Sequence, residues 1–318
     1  MSNNINVLVV GAGKIAQEYI KVLLALKVNP IVVTRGIDKA RKTQCLFENI
    51  KVFGGGIENY LLENKCPDYS IIATPTNTLY DITKLLIKSG SSNLLVEKPG
   101  VFSHSKSLEL YTLSKEYKCN ISIAFNRRAF QSVQKAKELI EKDGGVSSLH
   151  FDFSEATYRQ SEEDILYYDR EALEYWGIGN SSHVIDTVFY LGGSPKWLKC
   201  EQYGDDIKWH PKGSIFTGIG ESSSGAPITY HSNWSCPGKW NIEIMTKKRK
   251  LIFSPMEKLK QQNLKSFLIE EIQIDYDLDK LYKPGFYIQV KEFLNNKGLF
   301  NINELPERLN LLNKIFNY

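Results

Sequence analysis

The sequence predicts an α/β chain in two parts. A doubly wound parallel sheet fills the first 125 residues, and a region of antiparallel hairpins and helices follows. Three observations carry this. Val7–Ala16 (VLVVGAGKIA) passes from a β-branched run through a glycine turn straight into a helical pattern. Five more apolar stretches of strand length alternate with helical patterns as far as Ala124. From Ser147 onward the rhythm changes to in–out alternation broken by turns such as SSSGAP and TKKRK.

Taken in order, the further strands of the first part are Pro30–Val33, Lys51–Phe53, Tyr69–Ala73, Asn93–Val96 and Asn120–Ala124. The helical patterns between them are Lys14–Leu26, Asp38–Phe47, Ile57–Asn64, Leu79–Ser89 and Ser105–Tyr117. The first turn reads GxGxxA, a dinucleotide fingerprint. Gly11 allows the tight turn, Gly13 lets the backbone approach a pyrophosphate, and Ala16 keeps helix and strand close. The helix opening at Lys14 and Ile15 would offer unpaired N–H groups to the phosphates.

Ligands of such sheets bind beyond the carboxyl ends of the strands, so the residues there are the candidates. After the second strand stand Thr34 and Arg35, with Lys39 a turn further, where an NAD-preferring fold usually has an acid. A hydroxyl and a guanidinium suit a 2′-phosphate, so NADP is expected ahead of NAD; a solvated loop arginine is the alternative. After the fourth strand come Thr74, Pro75 and Asn77, where helix capping by Asn77 competes with a place along the nicotinamide ribose. After the fifth come Glu97 and Lys98 before a Pro-Gly turn, and after the sixth come Asn126, Arg127 and Arg128. Ion pairing at the strand end accounts for the Glu-Lys pair as well as a role in a cofactor crevice does.

The second part is read as a strand at 149–153, a helix over Val184–Leu191 ended by Gly192-Gly193, and six strands. These are Trp197–Gln202, Ile215–Gly220, Ile228–Trp234, Trp240–Met245, Lys250–Phe253 and Phe267–Ile274. Helices at Phe286–Leu294 and Pro306–Phe316 close the chain and can pack back on the first domain; the domains are set at 1–125 and 126–318. Asn180-Ser181-Ser182 offers capping chemistry before a helix whose first turn holds His183, on one face with Asp186. Tyr158, Tyr175, Trp176, Trp234 and Trp240 are candidates for a sugar-binding wall, with core packing the competing account. Arg127, Arg128 and Arg159 suit a substrate carboxylate or phosphate, or a surface ion pair.

Composition narrows the classes. With 318 residues, 42% hydrophobic and 24% charged, the chain is ordinary for a globular protein of two domains. A net charge of +4 is scattered apart from Lys247–Lys250, read as an exposed hairpin turn rather than a grip on nucleic acid. Five dispersed cysteines with no CxxC pair give no metal site and fit a reducing compartment. No signal peptide or membrane-length apolar run is recognised, so a cytoplasmic location is expected.

VVGAGKIA (9–16), IATPTN (72–77), LVEKPG (95–100), FNRR (125–128), SSHVIDTVFYLGG (181–193) and KPGFYIQVKEFL (283–294) together resemble the glucose–fructose oxidoreductase / inositol dehydrogenase / rhizopine-catabolism (Gfo/Idh/MocA) family. The resemblance implies a Rossmann domain followed by an α/β domain with a large, mostly antiparallel open sheet that often supports oligomers; a homodimer or homotetramer is expected. It implies an oxidoreductase moving hydride between NAD(P) and a hydroxyl or ketone carbon of a sugar, cyclitol or sugar derivative. It places Lys98 beside nicotinamide and substrate, with a cis bond to Pro99, and makes His183 a proton acceptor that Asp186 could orient. Tyr158, Trp176, Asn180 and Arg127 are carried as substrate-binding candidates. The chain departs from the family at Gly179, where many members have an acid four residues before the histidine. A cofactor-binding sensor without turnover, or an enzyme that recycles a bound cofactor in epimerisation, elimination or hydrolysis, therefore stays open.

Overall fold

The computed structural model describes residues 5–318. Its contacts divide the chain into two compact units. The first runs to Asn126 and takes in Lys280–Leu309; the second is Arg127–Asp279 with Asn310–Tyr318.

The first unit alternates strand and helix. Its elements are β1 (Asn6–Val10), α1 (Lys14–Ala25), β2 (Asn29–Val33), α2 (Ile37–Leu46), β3 (Lys51–Phe53) and α3 (Ile57–Glu63). They continue with β4 (Tyr69–Ile72), α4 (Thr76–Lys88), β5 (Asn93–Glu97), α5 (His104–Glu116) and β6 (Asn120–Ala124). The strands pair in parallel in the order β6-β5-β4-β1-β2-β3. Crossover helices cover both faces, which is why the central strands read as unbroken apolar runs: Val7, Leu8, Val9, Ile71, Ile72, Leu94 and Leu95 are fully buried.

The second unit begins with α6 (Gln131–Lys142), β7 (Ser148–Phe153), α7 (Glu162–Tyr167), α8 (Arg170–Glu174) and α9 (Ser182–Gly192). Strands β8 (Pro195–Tyr203), β9 (Ile215–Ser222), β10 (Pro227–Asn233) and β11 (Trp240–Met245) follow. The sheet is completed by β12 (Arg249–Phe253), β13 (Lys260–Asn263) and β14 (Ile269–Glu271). Its order is β14-β13-β12-β11-β7-β10-β9-β8, and all its pairs are antiparallel except β7 with β10. One face buries Phe151, Phe153, Phe216 and Tyr230, with Phe189 of α9 edge-on to Phe151. On the other face Trp197, Tyr203 and Ile219 are exposed.

Short α10 (Asp277–Leu281) leads to α11 (Phe286–Leu294), β15 (Phe300–Asn301) and α12 (Leu305–Phe316). Within the first unit α11 lays Phe286 against Tyr19 of α1, ring centroids 4.7 Å apart. There β15 adds a seventh, antiparallel strand beside β6. The last turns of α12 belong to the second unit, where Phe316 packs on Phe153, Phe216 and Trp234.

Three expectations need correction. Helix α4 starts at Thr76 with Pro75 as its N-cap, so Asn77 lies inside the first turn and caps nothing. The strand expected over Phe267–Ile274 shrinks to Ile269–Glu271. Its apolar residues are the exposed tip of a hairpin (Phe267 is 99% exposed), and its partner β13, Lys-Gln-Gln-Asn, has no alternation to betray it. Helix α6 was not anticipated, although Val133, Ala136 and Ile140 bury one stripe of it. The Lys247–Lys250 run does turn a hairpin: β11 pairs with β12, and Arg249 Nε donates to buried Asp143 Oδ2 at 2.8 Å. Among the described residues no helix is long and apolar enough to cross a membrane.

Candidate functional site

The residues singled out above fall into two groups, one in each unit. In the first, β1 lies between β4 and β2, at the point where the direction of strand order reverses. Gly11 follows it at φ 117°, and its N–H donates to Val33 O at 2.8 Å, while Ala73 N–H donates to Val10 O at 2.9 Å. The ends of three strands are thereby tied together around one glycine. A Cβ on Gly11 would stand 2.3 Å from Ala73 O, so no other residue fits without moving backbone. Gly13 is the N-cap of α1; no side chain caps the helix, and a Cβ there would meet nothing within 4 Å. Open space in front of uncapped N–H groups fits a dinucleotide pyrophosphate. Lys14 beside it is exposed and Ile15 half-buried.

At the end of β2, Thr34 is buried, with its N–H on Phe53 O and its carbonyl accepting from Gly56 N–H. Arg35 and Lys39 are exposed, and neither forms an ion pair among the described residues. Thr74 accepts the Thr78 hydroxyl at 2.9 Å; Pro75 and Asn77 are exposed.

Glu97 ends β5 and accepts the Tyr19 hydroxyl at 2.6 Å; that hydroxyl also lies 3.3 Å from Gln289 Oε1 of α11. Burial pushes the Glu97 carboxyl above its ordinary value, against the opposing pull of Tyr19, Lys98 and Lys283. Burial likewise pushes the Tyr19 phenol well up. Lys98 comes next in the chain, and its bond to Pro99 is cis, as the resemblance implied. Asn126 follows β6 and donates its amide to Pro284 O at 3.0 Å, so the Lys283-Pro284-Gly285 turn is fastened beside the same strand ends. Tyr19 and Gln289 escaped the sequence reading because each looks like an ordinary helix position.

In the second unit the chain is already helical before α9. Gly177–Ser181 forms a π turn running directly into it, and Ser181 has helical φ and ψ. Capping by Asn180 and Ser181 is therefore ruled out. Asn180 Nδ2 and Ser181 Oγ instead donate to Glu155 Oε2 and Oε1, both at 2.6 Å. Glu155 is buried two residues beyond β7, a carboxylate that nothing in its local pattern marked. Wide turns of this kind interrupt helices most often at functional sites.

His183 is the second residue of α9, buried, with its ring centroid 6.1 Å from that of Trp240. Asp186 is not simply a partner of that ring. Arg128 grips it with two bonds, Nε to Oδ2 at 2.8 Å and Nη2 to Oδ1 at 2.7 Å, both side chains buried. Arg128, lying over Tyr190, is thus committed to a structural pair and is removed from the substrate-binding candidates. Arg127 is different: its guanidinium lies 4.8 Å from the Trp240 ring and 5.6 Å from Phe130. Trp234 is fully buried among His210, Phe216 and Phe316, so it is core and no part of a sugar wall. Trp176 is buried against Trp209, Tyr175 packs edge-on to Tyr318, and Tyr158 is 51% exposed with Arg159 over its ring. Among the described residues no group of three His, Cys, Asp or Glu could hold a metal ion.

A glycine turn at an uncapped helix start, on the reversal point of a six-strand parallel sheet, defines a dinucleotide-binding fold. Residues 5–125 match the family model described as "Oxidoreductase family, NAD-binding Rossmann fold" (GFO_IDH_MocA). One curated relative is the shikimate dehydrogenase (NADP(+)) of Helicobacter pylori, 23% identical over 188 residues. That match takes in 57% of this chain and spans 65% of the relative's length. The UDP-N-acetylglucosamine 3-dehydrogenase GnnA of Acidithiobacillus ferrooxidans superposes with a TM-score of 0.76 at 14% identity, covering 99% of this chain and 97% of that one. A levoglucosan dehydrogenase solved with NADH and L-sorbose gives 0.76 at 15% identity, covering 99% and 96%. At such identities the likeness establishes a shared fold over nearly the whole chain.

Proposed function

We propose that the protein is an NAD(P)-dependent oxidoreductase acting on a hydroxyl or ketone carbon of a sugar, cyclitol or sugar derivative, with NADP preferred. The observation that carries this is the Gly11–Gly13 turn at the uncapped start of α1, in the same unit as Lys98 at the end of β5. Gly11, Gly13, Lys14 and Ile15 would hold the pyrophosphate, with Thr34, Arg35 and Lys39 at the 2′-phosphate. Thr74, Pro75, Asn77, Glu97 and Asn126 would line the remainder of the cofactor. The bound nicotinamide would supply or accept the hydride at C4. Lys98 and His183 are the residues assigned to the substrate proton: the lysine would hold it and the imidazole would take or return it.

The test is a fluorescence titration with NADPH and NADH in parallel. We expect NADPH to bind about tenfold more tightly or better, from the charge-assisted bonds a guanidinium makes to phosphate, and Arg35→Ala to erase the difference. Equal affinities would remove the NADP preference; binding of neither would remove the oxidoreductase reading. On a turned-over sugar, Lys98→Ala should reduce kcat by about 10²–10⁴ while the cofactor stays bound. Cofactor binding without turnover on any sugar would favour the sensor reading, which the commitment of Asp186 to Arg128 keeps in play. We further propose a cytoplasmic homo-oligomer, supported by exposed Trp197, Tyr203 and Ile219 on the open sheet face; light scattering giving a monomer mass would refute the oligomer.

A further inference from the structure

We infer that the substrate carries an anionic group, a carboxylate or a phosphate, and that Arg127 receives it. The inference rests on the oxidoreductase reading above and deepens it.

The argument starts from two consecutive arginines with opposite fates. Arg128 is neutralised by both oxygens of Asp186. Arg127 has no ion pair among the described residues, and its buried Nε has no hydrogen-bond partner. Its neighbours are the rings of Trp240 and Phe130, which stabilise a cation's charge but accept none of its N–H bonds. Glu257 and Glu155 act on it only through space, and the Glu155 oxygens take the bonds from Asn180 and Ser181.

Arg127 as a whole is half-buried, with its Nε sealed from water; buried donors nearly always have partners, and a guanidinium withdrawn from solvent without an ion pair is costly. Burial pulls the Arg127 guanidinium down to about 10, which still leaves it charged at neutral pH. The stacked, planar fork is therefore held ready for an incoming anion. His183 lies near the same Trp240 ring, centroids 6.1 Å apart, and Ser182, next to it in the chain, has a buried hydroxyl without a partner. Orphaned donors beside the proton-handling histidine describe an acceptor-rich substrate rather than a neutral apolar one.

The experiment uses the full chain saturated with NADPH and calorimetric titration with matched sugars: D-glucose, D-glucuronate and D-glucose 6-phosphate, then D-galactose and D-galacturonate. At least one anionic member should bind about tenfold more tightly than its neutral counterpart, as expected of a charge-assisted bond. The acid and phosphate arms show which anion is meant. Arg127→Gln should abolish the preference while leaving NADPH affinity within about twofold; Arg127→Lys, which keeps the charge if the first variant misfolds, should retain part of it. Without any sugar, Arg127→Gln should also raise the Tm, since it removes a partly desolvated charge that no carboxylate bonds. Equal affinities within every pair, no binding of any anionic member, or a preference that survives Arg127→Gln would overturn the inference. Normal NADPH binding with no anion preference sinks this inference alone, whereas failure to bind NADPH sinks the oxidoreductase reading with it.

Discussion

Asp186→Ala is expected to destabilise the protein by about 3–5 kcal/mol, because it takes both carboxylate bonds away from the buried Arg128 guanidinium. The size follows from burial. Exposed pairs such as Lys21–Glu18 contribute roughly 0–1 kcal/mol, since water serves either ion nearly as well as its partner does. Arg128 and Asp186 have side-chain exposures of 9% and 2%, so water cannot replace the two bonds that the carboxylate makes. The double variant Arg128→Met/Asp186→Leu should recover most of the loss, because two apolar side chains of similar volume leave no charge behind. Urea unfolding of both variants and the wild type checks this. A single variant within about 1 kcal/mol of wild type, or a double variant no better than the single, would show that the pair is not desolvated as described.

Gly11→Ala should have the second large effect. The backbone at φ 117° is strained for any L side chain, by about 1–3 kcal/mol, and the new methyl would sit 2.3 Å from the Ala73 carbonyl oxygen. The methyl can be accommodated only by parting the ends of β1 and β4, which are tied by the Ala73 N–H to Val10 O bond. We expect destabilisation by roughly 3 kcal/mol or more and loss of NADPH binding even in the fraction that folds. Gly13→Ala is the informative control. Its Cβ meets no protein atom, so stability should change little while dinucleotide affinity drops. Equal stability losses in the two variants would mean that the turn is shaped by something other than the Ala73 contact.

Much of the fold was legible because its signals are local. Strands β3 and β6 and helix α11 fall on the expected residues: β6 is buried from Ile121 to Ala124, and α11 buries Phe286, Val290 and Phe293 as a stripe. What was illegible depends on partners distant in sequence. Nothing in Lys-Gln-Gln-Asn announces β13, which exists because β12 offers it an edge. The commitment of Asp186 to Arg128 spans 58 residues, and Glu155 meets Asn180 and Ser181 across about 25. An i, i+3 spacing could place Asp186 on one face with His183, but it carries no information about a stronger claimant from another element.

The candidate residues divide along the same line. Gly11 and Gly13 could be assigned from sequence because their work is conformational and steric, fixed within one turn. The distinction between Arg127 and Arg128 could not, since adjacent identical side chains acquire different meanings only from what folds around them.

The return of Lys280–Leu309 to the first unit has a consequence for the birth of the molecule. On the ribosome β1 to β6 emerge before the second unit, yet α1 lacks Phe286 and Gln289, and β6 lacks its β15 neighbour, until Lys280–Leu309 has been made. Roughly 150 residues separate the two pieces, about 8–30 s of synthesis at 5–20 residues per second. Throughout that interval the second unit can be made while the nucleotide-binding half still exposes apolar surface and an open strand edge. The protein's vulnerability to aggregation thus lies in the time before Lys280–Leu309 arrives, and truncations that remove this segment should be caught by chaperones and proteases rather than yield a working first domain.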